Sequence, residues 1–107
     1  MTAFVNQLRA RGDVIQMAAA GATSITVRVE VPEVWDVVRI AVSPDESVRA
    51  LKSSAIAAAY PSAADPEELV MKLRGFDVLD ESMSIASTGA VDGSTFLLTH
   101  RRRRPVR

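Results

Sequence analysis

The sequence predicts an α+β domain, a mixed sheet of four to five strands in the order ββαβ(β)β with one helix packed across one face. Three observations carry this. Residues 25–31 and 38–42 alternate apolar and polar side chains, the period of two expected of half-buried strands. From residue 48 the apolar residues instead recur at helical spacing. Beyond that helix the apolar runs at 69–73 and 95–99 are again short, as strands are. A length of 107 residues with 48% hydrophobic composition suits one domain with one core.

Residues 1–23 are weakly patterned. Phe4, Val5 and Leu8 line one helical face, but Gly12 and Asp13 interrupt it and the stretch from Ala18 to Thr23 is bland. A flexible or weakly structured extension is expected there, followed by a folded domain over 24–100. Ile25, Val27, Val29 and Val31 form the inward side of the first strand, and Val38, Ile40 and Val42 that of the second. Pro32-Glu33 turns the chain between them, which makes the pair a hairpin. Trp35, beside the turn, is expected to pack partly buried.

Ser43 to Ser47 announces the helix. Ser47 is the best N-cap, and Asp45 and Glu46 precede it at the positive end of the helix dipole. Val48, Leu51, Ala55 and Ile56 make one apolar stripe, and Tyr60-Pro61 ends it because a residue before proline is pushed out of helical geometry. Leu69 to Leu73 reads as the next strand, with Met71 and Leu73 inward, and Val78-Leu79 as a brief one after Gly75. Ser82 to Gly93 is a long connection, closed by the turn signal Asp92-Gly93. The last strand puts Phe96 and Leu98 on the core side.

This order resembles the β-grasp fold of ubiquitin and its relatives, and particular residues carry the likeness. Val42 to Lys52, VSPDESVRALK, is similar without a gap to ubiquitin's second-strand end and helix start. Pro66 through Gly75 resembles the family's approach to the third strand and the glycine turn after it, and Leu79 to Thr95 matches the corresponding length. Ile85 to Phe96, IASTGAVDGSTF, is more similar to the bacterial YukD-type branch. The likeness spans about residues 24–103. It implies a ubiquitin-like fold, protein partners, and an accessory role in a bacterial WXG-type secretion assembly. It also places Val70, Lys72, Leu97 and Thr99 where ubiquitin carries its aliphatic receptor patch, which makes these four the expected partner-binding residues. Ubiquitin-type modifiers end in Gly-Gly, and a gapless continuation puts Arg104 and Pro105 there. A covalent modifier with an atypical C-terminus is therefore the alternative reading.

Charge and chemistry narrow the function further. The chain has 13 basic and 13 acidic residues, but five arginines fall in residues 101–107. That leaves eight positive against 13 negative charges on residues 1–100, a net of −5. Arg101, Arg102, Arg103 and Arg104 read first as a solvated extension, weakly attracted to the acidic body, and second as a docking tail for an acidic surface or anionic lipid. Nucleic acid is disfavoured, because no aromatic is interleaved with the arginines to stack on bases. No cysteine is present, His100 is the one histidine, and neither a metal-ligand spacing nor a phosphate-cradling loop occurs. A non-enzyme without cofactor or metal is expected. With no apolar run near the roughly 20 residues of a membrane span, and no secretory signal pattern, a cytoplasmic location is expected too.

Overall fold

The structure, a computed structural model, describes residues 14–19, 21–63 and 65–100. Its elements are strands β1 (Val14–Gln16), β2 (Ile25–Val31), β3 (Asp36–Val42), β4 (Leu69–Leu73), β5 (Phe76–Asp77) and β6 (Thr95–His100), with one helix, α1 (Val48–Ala59). The strands form one mixed sheet in the order β1-β3-β2-β6-β4-β5. The hairpin β2–β3 is antiparallel in full register, Ile25 opposite Val42 through Val31 opposite Asp36. β6 then runs parallel to β2 and antiparallel to β4 in the middle of the sheet.

Alternation fixes which face is buried. Val27, Val29, Val31, Val38, Ile40 and Val42 point to one side and are at most 1% exposed. Met71, Phe96 and Leu98 join them on the same side, fully buried. The helix closes this core with Val48, Leu51, Ala55 and Ile56, the stripe its spacing predicts. Ser47 caps it by accepting the Ala50 N–H at 3.1 Å. The next two orphan donors of the first turn find partners in the long connection: Val48 N–H donates to Met83 O at 3.0 Å and Arg49 N–H to Glu81 O at 2.8 Å. The connection after β5 is thereby stitched to the helix start. It is held from the other side too, since Ile85 N–H donates to Glu46 O at 2.8 Å.

The sheet has six strands where four to five are expected. The additional one is β1, inside the stretch read as a weakly structured extension. It lies parallel to β3, with Val14 opposite Arg39 and Gln16 opposite Ala41, and sets Ile15 and Met17 against the core. A three-residue edge strand takes its stability from the neighbour it pairs with, a distant segment that local patterning does not reveal. Residues 1–13 and Arg101–Arg104 lie outside the described residues.

The brief strand is also displaced, falling on Phe76–Asp77 and not on Val78-Leu79. Leu73 pairs with Phe76 across a two-residue turn in which Arg74 and Gly75 have φ of 54° and 84°. Both values are left-handed, the geometry of the tight turns that match strand twist. Once that turn is set, Val78 rotates into the core at 9% exposure while its N–H donates to Met71 O at 2.8 Å.

Candidate partner-binding face

Because side chains alternate across a strand, the residues between the core positions of β2, β3, β4 and β6 share the face opposite α1. On β4 these are Val70 and Lys72, on β6 Leu97 and Thr99. The register sets them directly opposite in pairs, Val70 across from Thr99 and Lys72 across from Leu97. The four side chains expected from sequence therefore form one two-by-two patch.

Its accessibility is uneven. Lys72, Leu97 and Thr99 are half-buried, but Val70 is only 4% exposed and offers almost no surface. Leu97 sits between charges of opposite sign, with Glu30 of β2 on one side and Lys72 of β4 on the other. Lys72 is in turn 3.7 Å from Asp77 of β5. Thr99 is anchored, its hydroxyl donating to Glu33 Oε2 at 2.9 Å. The patch is thus one aliphatic side chain within a polar, partly paired surround.

Glu33 ties the turn between β2 and β3 to the end of β6, since the same oxygen also takes the His100 N–H at 3.3 Å. Slight burial pushes the Glu33 carboxyl up, yet the donors from Thr99, His100 and its own backbone, with the nearby His100 charge, hold it below the ordinary carboxylate value. His100 itself meets Tyr60 edge-on, ring centroids 6.2 Å apart. Asp80 is lowered as well, because the Ser82 hydroxyl and N–H both donate to it. Among the described residues no group of three or more histidines and carboxylates is placed to hold a metal ion. No described helix is long and apolar enough to cross a membrane.

Three features escaped the sequence reading. Trp35 does not pack against the domain: it is 92% exposed and holds a left-handed backbone, φ 55° and ψ 45°. For a residue with a Cβ that conformation costs about 1–2 kcal/mol. Phe76 and Leu79 are 77% and 85% exposed and, with Leu73, Val78 and Met83, line a cavity of about 520 Å³ beside β5. Single exposed apolar residues have no sequence signature, because the same residue types fill strand interiors. Lys52 is the third. It lies 3% exposed under the helix, its Nζ 2.9 Å from both oxygens of Glu81 and 3.0 Å from Leu69 O. Its place beside the apolar stripe, one position after Leu51, was the available clue.

No protein-family model matches the chain, and no curated protein does. Solved structures do. The ubiquitin of Caldiarchaeum subterraneum superposes with a TM-score of 0.62 at 18% identity, covering 76% of this chain and 98% of that one. The ubiquitin-like domain of an Arabidopsis thaliana protein gives 0.63 at 15% identity, covering 85% and 92%. The ubiquitin-like domain of Plasmodium falciparum Dsk2 gives 0.62 at 23% identity, covering 74% and all of that domain. The fold is therefore the ubiquitin-like β-grasp.

Proposed function

We propose that this ubiquitin-like fold serves as a non-catalytic protein-interaction module whose contact surface is the sheet face carrying Lys72, Leu97 and Thr99, with the almost fully buried Val70 opposite Thr99. The observation that supports it most is the cross-strand pairing of these residues, which sets one accessible leucine at the centre of a face kept clear of the helix. Aliphatic anchors inside a polar rim are the usual form of a small, reversible interface. The similarity of residues 85–96 to the YukD-type branch supports placing the module in a bacterial secretion assembly as a cytoplasmic accessory subunit.

Site-specific photocrosslinking in cells of the source organism tests this. A crosslinker at Leu97 yields a discrete protein adduct, whereas one at Ser53, exposed on the opposite face, does not, and Leu97→Asp in a protein crosslinked through Lys72 removes the adduct. Equal adducts from both faces, or none from either, end the reading. The modifier alternative predicts instead a ladder of heavier conjugates that disappears when residues 101–107 are deleted.

A further inference from the structure

The sheet edge at β5 brings together an open strand edge, an apolar hollow and a cation that the fold does not use. β5 ends the strand order, so no strand among the described residues pairs beyond it. Its register decides which backbone groups are left open. Leu73 and Phe76 close the two-residue turn as a hydrogen-bonded pair, and Val78 N–H donates inward to Met71 O. Bonded and open positions alternate in an antiparallel pair, so the N–H and C=O of Asp77 point away from β4. Beside this edge Phe76 and Leu79 stand exposed over the hollow of about 520 Å³, whose wall includes the nearly buried Leu73 and Val78. Two large apolar side chains exposed together mark a contact surface more often than a lone one does.

The charges round the hollow are unequal in what they are free to do. Asp77, Asp80 and Arg74 all line it. Asp77 is 3.7 Å from the Lys72 ammonium, and Asp80 accepts both the hydroxyl and the N–H of Ser82. Arg74 has no hydrogen-bond or ion-pair partner among the described residues. It also holds a left-handed backbone, φ 54°, at a turn position that asparagine or glycine fills with less strain.

We infer that this edge docks an extended segment of another protein, one that carries an apolar side chain with an acidic residue beside it. The segment pairs with the open backbone of Asp77, its apolar side chain enters the hollow, and its carboxylate meets Arg74. Main-chain pairing supplies affinity in such a contact and the pocket supplies selectivity. A free apolar acid would fill the hollow and reach Arg74, but would leave the Asp77 backbone open. A second copy of this chain would bring an edge of only two residues, with the acids there already engaged. The contact is separate from the sheet face around Leu97 and does not rest on it.

Panning a phage library of random dodecapeptides on the full-length protein tests this. Selected peptides should carry an aromatic or branched aliphatic residue with Asp or Glu within two positions. A synthetic copy should shift the amide NMR signals of Phe76, Asp77 and Leu79 and slow hydrogen exchange at Asp77. Phe76→Ser should weaken its binding about 30-fold, the loss of a central apolar anchor. Arg74→Asn, which suits the turn, should weaken it about two- to fivefold and flatten its salt dependence. Both side chains are exposed, so far-UV circular dichroism of the two variants should match the parent. The absence of any selected sequence overturns the inference, as do selected peptides that are basic or that bind Phe76→Ser as tightly as the parent. Shifts confined to Lys72, Leu97 and Thr99 overturn it too, and leave the sheet-face reading standing. Dodecanoate moving the same amides while no peptide competes would overturn it in favour of a small apolar acid. Self-association of the parent that Phe76→Ser abolishes would overturn it in favour of a second copy.

Discussion

Removing the carboxylate from Glu81 should destabilise the domain more than any other single surface-facing change. Lys52 is 3% exposed and Glu81 10%, with the ammonium 2.9 Å from both carboxylate oxygens and 3.0 Å from Leu69 O. Glu81→Ala leaves a buried cation with one neutral acceptor, and breaking such a pair costs about 3–5 kcal/mol. A domain of this length has roughly 5–15 kcal/mol in total, so the variant sits near the edge of folding. Its thermal midpoint should fall by about 12 °C or more, taking at least ~4 °C per kcal/mol. Glu81 also accepts the Arg49 N–H through its backbone, a bond that alanine retains, so the loss reports the side chain alone. Unfolding should be followed by far-UV circular dichroism, since Trp35 is already solvated in the native state and its fluorescence would change little. The double variant Lys52→Met with Glu81→Leu should recover stability to within about 1 kcal/mol of the parent, because replacing both charges removes the desolvation cost as well as the attraction. A Glu81→Ala loss below about 1 kcal/mol would refute this reasoning and place the pair with ordinary exposed ion pairs.

Ser47→Ala should cost about 1 kcal/mol in urea unfolding, the usual effect of losing an N-cap, and no more, because the Val48 and Arg49 donors keep their carbonyl partners. Glu33 gives a pH signature. Its carboxyl is held low in the folded state, so its contribution is fully present above the ordinary carboxylate value and is lost as pH falls through the lowered one. Stability of the parent should therefore decline more steeply in acid than that of Glu33→Gln, by well under 1 kcal/mol for so exposed a group, as read by denaturant titrations at neutral and acid pH. Trp35→Asn should leave stability unchanged or raise it by up to about 1 kcal/mol, since asparagine tolerates the left-handed conformation and little packing is lost; a clear loss on thermal melting would show that the indole packs in solution.

What the sequence made legible was what repeats locally. The alternation in Ile25–Val31 and Val38–Val42, the Ser47 cap and the stripe Val48, Leu51, Ala55 and Ile56 each state their geometry within a few residues. β1 states nothing alone, because it exists through Arg39, Ile40 and Ala41. β5 is likewise defined by pairing, its two residues answering to Lys72 and Leu73 and not to their own composition. The adjacent acids Asp80 and Glu81 look alike in sequence as solvating residues, yet one turns the chain at Ser82 and the other neutralises a buried lysine. For the candidate face, alternation gave the correct side of β4 and β6. The near-complete burial of Val70 was invisible, because it depends on how closely the neighbouring chain approaches.

The placement of β6 has a consequence for how the molecule is made. Its partners are β2, laid down early, and β4, and the β2 pairing joins Val29 to Phe96 across most of the chain. During synthesis the opening hairpin and the helix emerge with their apolar sides bare and wait for the final strand to seal them, an arrangement that slows folding and favours transient association of nascent chains. A ribosome stalled before Thr95 would hold a polypeptide with every buried valine of the hairpin synthesised and no wedge to close over them.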